Sequence, residues 1–197
     1  MTEKMKIIII DYGAGNIKSI QFAFKRLGFE AVLSSSIEEI RAADKVIFPG
    51  VGEASSAMKK LKESGLDTLI PTLKQPVLGI CLGMQLLCNT SEEGNTKGLG
   101  IFNVAVKRFS TNVKVPQIGW NSISNLKSDL FLGIKEDEYM YVVHSFYVEN
   151  CLEKIGTSSY GIEYATALKK GNFYGVQFHP EKSSKAGAQL LQNFINL

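Results

Sequence analysis

Over its first hundred residues the chain alternates short, continuous apolar runs with segments whose apolar residues recur at helical spacing, and this alternation limits the possible folds more than any other feature. Lys6-Ile7-Ile8-Ile9-Ile10-Asp11 is apolar and β-branched at every position between its charged ends. A run with no polar face belongs to a strand covered on both sides, as in a parallel sheet under helices. Ile17, Ile20, Phe24 and Leu27 then follow at helical spacing, with Gly28 placed as a C-terminal cap. A second strand is expected near residues 31–33, and Ser36-Ile37-Glu38-Glu39 has the form of a capping box opening a short helix. Residues 45–48 read as a third strand stopped by Pro49-Gly50, residues 54–66 as a helix, and residues 76–80 as a fourth strand running into Cys81. The segment after Cys81 reads as a helix that carries through Cys88.

Beyond about Gly98 the pattern changes to short β-rich runs at 100–109, 117–123, 139–147, 162–168 and 173–178, closed by a helix at 185–195. No internal repeat, low-complexity tract or linker-like run interrupts the sequence. The expectation is one α/β domain over residues 1–197: a mostly parallel central sheet flanked by helices, with a β-rich second half.

Composition narrows the function. An apolar fraction of 45% and a charged fraction of 21% suit a soluble globular protein. The net charge of +3 is mild and its lysines and arginines are scattered, so no electrostatic footprint for nucleic acid is present. The four isoleucines near the start are shorter than the apolar region of a signal peptide, about 7–15 residues, and far shorter than the ~20 of a membrane span. Three cysteines, Cys81, Cys88 and Cys151, make an odd count without CxxC or a metal-ligand spacing, which points to free thiols and a cytoplasmic location. The chain has two histidines, so imidazole chemistry must use His144 or His179.

Function in open α/β sheets gathers at the carboxyl ends of the strands. Cys81 stands there in Gly79-Ile80-Cys81-Leu82-Gly83-Met84-Gln85, with small residues on either side as a strand–turn–helix nucleophile elbow requires. Unpaired N–H groups and the positive end of the helix would favour its thiolate. Taken alone, Cys81 is equally well a buried core thiol. His179 and Glu181 shift that balance. They lie two apart beyond a β-rich run, so the carboxylate can hold one ring nitrogen while the other faces a thiol. An acyl-transfer cysteine also needs oxyanion donors. The Leu82 amide is one by position, and the flexible Pro49-Gly50-Val51-Gly52 loop at a neighbouring strand end is the best source of a second.

These residues resemble the class I, triad-type glutamine amidotransferases. DYGAGNIKS, PGVGE, GICLGMQLL with SEEG after it, VPQIGWN, VHSFY and GVQFHPEKS occur in the order found in the glutaminase subunits of imidazole glycerol phosphate synthases, and DYGAGN and GWN separate that branch from other amidotransferases. The resemblance spans residues 6–194 and implies a flavodoxin-like fold. It implies Cys81 as nucleophile, His179 as general base and acid, Glu181 as its orienter, and the Val51 and Leu82 amides as the oxyanion hole. It further implies that glutamine is held by Gly52, Gln85, Glu93, His144, Ser145 and Phe146, largely through backbone groups. Asn16, Gln117, Trp120 and Asn121 match positions facing a (β/α)8-barrel cyclase subunit that receives ammonia in a heterodimer. Neither metal nor organic cofactor is implied, and neither nucleic acid nor membrane is a partner. Two departures stand out: Glu53-Ala54-Ser55-Ser56 replaces the commoner Ala-Phe-Gly after PGVG, and Phe146 stands where Tyr is usual.

The implied activity is hydrolysis of glutamine to glutamate, with ammonia supplied to the cyclase subunit in histidine biosynthesis. Two alternatives stay open at this point. A paralogous glutaminase could feed a different synthase, for instance in amino-sugar modification. A non-catalytic interaction subunit, with DYGAGN as a phosphate loop, would leave the set Cys81, His179 and Glu181 without a purpose, and DYGAGN lacks the full GxGxxG spacing.

Overall fold

The structure, a computed structural model, describes residues 5–13 and 15–197. Ala14, inside DYGAGN, and residues 1–4 lie outside the described residues. In chain order the elements are β1 (Ile7–Ile10), α1 (Ile17–Arg26), β2 (Ala31–Ser34), α2 (Ile37–Arg41), β3 (Lys45–Phe48), α3 (Ala54–Glu63), α4 (Leu66–Leu69), β4 (Val77–Ile80) and α5 (Leu82–Leu86). There follow β5 (Cys88–Ser91), β6 (Thr96–Lys97), β7 (Phe102–Arg108), β8 (Gln117–Ile123), β9 (Glu138–His144), β10 (Phe146–Val148), β11 (Lys154–Ser159), β12 (Glu163–Lys170), β13 (Phe173–Val176) and α6 (Ser184–Asn196).

The isoleucine run explains itself. All four residues of β1 are fully buried, Ile7 and Ile9 in the core on one face of the sheet and Ile8 and Ile10 in the core on the other. Helix α1 covers the first face with Ile20, Ala23 and Phe24, and α6 adds Leu190, Leu191 and Phe194. Helix α3 covers the opposite face with Ala54, Ala57, Met58 and Leu61. Ser36 caps α2 by accepting from the Glu39 amide at 3.3 Å. Gly28 takes a φ of +85° beyond the end of α1, the left-handed conformation of a terminating glycine.

The main sheet runs β2-β1-β3-β4-β13-β12-β10-β7-β5-β6, with β11 also paired to β12, while β8 and β9 form a separate two-stranded ribbon. Strands β1 to β4 and β13 are mutually parallel. From β12 onward the extension is largely antiparallel, so the β-rich second half widens the same sheet and makes it mixed. The last strand of the chain returns to the centre: β13 lies beside β4 with Val176 opposite Ile80. Residues 81 and 177 therefore leave the sheet side by side.

Two local readings need correction. Helix α5 ends at Leu86 and Cys88 opens β5, so Cys88 does not share a helix with Cys81. The Leu99, Gly100 and Ile101 amides bond to the Leu86, Cys88 and Leu87 carbonyls and draw this segment into a sheet edge, a tertiary pairing that local helix propensity does not report. Strand β11 is also absent from the sequence reading, because its Gly156, Thr157 and Ser158 are polar or small residues buried under neighbouring elements.

Two glycine substitutions test this packing. A Cβ on Gly83 would stand 2.0 Å from the Phe48 carbonyl oxygen, whereas one on Gly28 would meet nothing within 4 Å. Gly83→Ala is expected to cost more than about 3 kcal/mol in urea unfolding, above the usual overpacking penalty because the obstacle is backbone. Gly28→Ala should cost only about 1–2 kcal/mol for its positive φ. Equal losses would contradict the packing described.

Candidate active site

The turn after β4 holds Cys81 at φ 54° and ψ −115°, a conformation that L side chains rarely adopt. Its surroundings leave no alternative. A Cβ on Gly79 would come within 2.9 Å of the Met84 amide nitrogen, and one on Gly50 within 2.6 Å of the Gly83 amide nitrogen. The PGVG loop, the elbow and the start of α5 are thus packed backbone against backbone, with glycine wherever a methyl group would intervene. Cys81 is 7% exposed, at the floor of a cleft.

His179 meets it from the end of β13. Its Nδ1 lies 2.8 Å from Glu181 Oε1, which leaves Nε2 as its free nitrogen, and the ring stands close enough to Cys81 for the sulfur to favour its charged form. The expected pairing of residues 179 and 181 is present, but its origin is a turn. The strand ends at Val176, and Pro180–Lys182 forms one 3-10 turn with proline at its first position, which swings Glu181 alongside the ring. The His179 backbone is pinned as well. Its amide donates to the Tyr141 carbonyl at 2.8 Å, and the Ser183 hydroxyl donates to its carbonyl at 2.7 Å while accepting from the Tyr141 amide at 2.9 Å.

Burial alone would discourage a proton on His179. The hydrogen bonds and negative charges of Cys81 and Glu181 outweigh it and lift the imidazole to about 10. The site therefore pairs a charged His179 with the Cys81 sulfur at neutral pH. His144 behaves in the opposite way. Burial pushes it down to about 4, against the raising effect of its bond to the Phe146 carbonyl, and the charge of His179 adds to the lowering. It is neutral, with Nδ1 2.7 Å from the Phe146 oxygen and Nε2 3.4 Å from the Tyr164 hydroxyl. Because the Phe146 oxygen accepts only, Nδ1 carries the hydrogen.

Cys81 opens into a cavity of about 360 Å³ lined by Val51, Gly52, Leu82, Gln85, Glu93, Pro116, Val143, His144, Ser145, Phe146, His179 and Lys182. Every residue expected to hold substrate or to form the oxyanion hole lies on this wall, and Glu181 sits behind it. Gln85 is 5% exposed, and both hydrogens of its carboxamide are spent inside the protein, on the Phe146 carbonyl at 3.0 Å and on Gln177 Oε1 at 2.8 Å. Glu93 accepts from the Ala54 amide at 2.8 Å. Burial raises its carboxyl, the Ala54 bond lowers it, the charge of Glu53 raises it again, and the net shift is upward. The unusual residues after PGVG fit this turn: a Cβ on Gly94 would meet Ser55 Cβ at 2.7 Å and Glu53 Oε1 at 2.9 Å.

Sequence reasoning missed several members of the site. Gln177 is fully buried and directs its Nε2 at Cys81 Sγ from 3.7 Å. The two-residue spacing that paired His179 with Glu181 also points back to it. Tyr12, passed over inside DYGAGN, donates to the Pro49 carbonyl at 2.8 Å and steadies the root of the PGVG loop. Val143, Pro116 and Lys182 line the cavity, and nothing in their residue types singled them out.

The residues matched to a partner surface divide. Asn16 and Trp120 are exposed, Trp120 to 53%, and Ile118 and Tyr139 on the same ribbon are 63% and 57% exposed. Asn121 donates to the Ser159 carbonyl at 3.2 Å. Gln117 is buried and accepts from the Tyr164 hydroxyl at 3.3 Å, so its side chain turns inward.

The chain is similar in sequence and in fold to known proteins. Residues 8–197 match the family Glutamine amidotransferase class-I. The imidazole glycerol phosphate synthase subunit HisH of Bacteroides fragilis (strain YCH46) is 56% identical over 196 residues, covering 98% of this chain and 100% of that protein. The HisH subunit of Haemophilus influenzae (strain ATCC 51907) is 46% identical over 97% of each chain. A glutamine amidotransferase from Thermotoga maritima superposes with a TM-score of 0.64 over 98% of this chain and 84% of that one, at 20% identity, a likeness of fold alone.

With two histidines in the chain, imidazole NMR can follow both. His144 should stay neutral down to about 4 and His179 protonated up to about 10. Cys81→Ala should return the His179 midpoint toward the ordinary 6.5, and two midpoints near 6.5 in the wild-type protein would refute the pair. The signs for stability differ. The His179 contribution is complete below its unfolded value of 6.5 and is lost as pH rises through about 10. The His144 contribution is present above 6.5 and is lost as pH falls through about 4.

Proposed function

The chain belongs to the class-I glutamine amidotransferases, in the branch of the imidazole glycerol phosphate synthase HisH subunits, and from that premise we propose that it hydrolyses glutamine at Cys81 and passes the ammonia to a (β/α)8-barrel cyclase subunit in histidine biosynthesis. The observation that carries the reading is the meeting of Cys81, His179 and Glu181 at the floor of a cavity whose wall bears the glutamine-matching residues.

The Cys81 thiolate attacks the side-chain carbonyl carbon of glutamine. The oxyanion that forms is stabilised by the Leu82 amide at the start of α5 and by the Val51 amide of the adjoining loop. His179 gives its proton to the departing nitrogen, the C–N bond breaks, and ammonia leaves a γ-glutamyl thioester on Cys81. A water molecule, deprotonated by the now neutral His179, attacks the thioester. The C–S bond breaks, glutamate departs, and the thiolate–imidazolium pair is restored. Glutamine and water become glutamate and ammonia, with no electrons exchanged.

Glu93 faces the substrate's α-ammonium, and Gln85, its N–H groups already committed, offers an oxygen to a substrate donor. Ile118, Trp120 and Tyr139, large and exposed on the β8–β9 ribbon, supply the apolar anchor for the barrel. The heterodimer is cytoplasmic, in keeping with three free cysteines. Among the described residues no helix is long and apolar enough to cross a membrane.

Cys81→Ala and His179→Ala should each lower ammonia release from glutamine by about a thousandfold or more, measured with and without the cyclase subunit and its nucleotide substrate. Trp120→Ala should weaken cyclase binding by about 2 kcal/mol while Cys81 alkylation is unchanged. A stimulated Cys81→Ala variant that still released ammonia would overturn the mechanism. No rise in activity on adding the cyclase would favour a different synthase as partner.

A further inference from the structure

The hydrogen bonds behind Cys81 have a direction, and one group that cannot be reversed determines it. The Phe146 carbonyl oxygen only accepts. It lies 3.0 Å from Gln85 Nε2, so that end of the carboxamide is the NH2, and its second hydrogen reaches Gln177 Oε1 at 2.8 Å. With its oxygen engaged, Gln177 turns its own NH2 to Cys81 Sγ at 3.7 Å. Flipping either carboxamide would set donor against donor or acceptor against acceptor. Gln177 is 0% exposed and Gln85 5%, and the mismatch at such depth is costly. The sulfur thus has three polar neighbours of different kinds: the cationic His179, the Val143 carbonyl at 3.7 Å, and the neutral donor of Gln177. The carbonyl suits a thiol and opposes a thiolate. Gln177 suits the thiolate.

We propose that Gln177 is a further catalytic residue of this site: its carboxamide N–H donates to Cys81 Sγ, holds the thiolate and its orientation, and is kept facing the sulfur by Gln85. The proposal rests on Cys81 being the nucleophile. A neutral donor does here what His179 cannot do throughout the cycle. Once His179 has given its proton to ammonia it is neutral until it takes one from the attacking water, and when the C–S bond then breaks an electron pair must pass back to Sγ. The Gln177 N–H is already aimed at that developing charge, and its hydrogen stays on nitrogen throughout.

The test uses two readouts: kcat and KM for ammonia release, and the pH dependence of iodoacetamide alkylation at the Cys81 peptide without glutamine. Gln177→Met keeps the bulk and loses the donor. It should lower kcat by about ten- to a hundredfold, the range for a hydrogen bond to a charged group, with a smaller change in KM and an alkylation midpoint moved to higher pH. Gln177→Glu still accepts from Gln85 but sets a carboxylate oxygen against the sulfur, so it should move the midpoint further in the same direction. A variant of either kind that retains its melting transition and shows wild-type kcat and alkylation profile overturns the proposal. Cys81→Ala, assayed in parallel, separates the two levels: if it keeps activity, the nucleophile assignment fails, and if it is inactive while both Gln177 variants are normal, the role of Gln177 alone fails.

Discussion

The site depends on one constraint, the backbone of Cys81 held at φ 54° and ψ −115°. A non-glycine residue in such a region stores about 1–3 kcal/mol and persists only where its surroundings over-determine it. They do so here through backbone contact. Phe48, Gly50 and Gly83 touch, and Gly79 lies under the amide of Met84, so the elbow cannot relax without displacing β3, the PGVG loop or α5. The strain has a use. It lifts Sγ off the sheet into the cavity, puts it before the first amides of α5, and leaves it within reach of whatever emerges from the neighbouring strand. That strand is β13, and its register with β4 delivers Gln177 and His179 to the sulfur.

The electrostatics follow from what each buried group touches. Two imidazoles of similar burial line one cavity, yet one is held charged and the other neutral. His179 has the sulfur and the Glu181 carboxylate to either side. His144 has a backbone carbonyl and the Tyr164 hydroxyl, neither of which stabilises a cation as an ion would, and aromatic rings from Phe109 and Tyr164 beside it. One histidine is thereby available for proton transfer, and the other serves as a fixed donor within the wall that also orients Gln85.

Much of this was legible in the sequence, and the exceptions have physical causes. The parallel half could be read because strands covered on both faces have to be apolar throughout, as Ile7 to Ile10 are. The elbow and the His179–Glu181 pair could be read because small neighbours and two-residue spacing are local. The return of β13 to the middle of the sheet is a choice of topology that no local pattern specifies, and it is what converts Cys81 from an ambiguous thiol into a group with a base. Cys88 and β11 escaped because their state is imposed by partners distant in sequence. Gln177 and Tyr12 escaped for another reason: glutamine and tyrosine are ordinary on a surface or in a core, and their roles appear only with the group each faces. The motif order that resembles the glutaminase subunits named Gly52, Gln85 and Glu93, which local chemistry alone did not assign, and all three line the cavity.

In the proposed mechanism, turnover passes through a covalent bond between Cys81 and the substrate. Rapid quenching of the enzyme with glutamine in acid, followed by peptide mass spectrometry, tests it directly. One γ-glutamyl group is expected, located by fragmentation to Cys81 within the peptide it shares with Cys88, absent from Cys88 and Cys151 and gone after the glutamine is consumed. Steady ammonia release with no adduct at Cys81, or an adduct on either other cysteine, would contradict it.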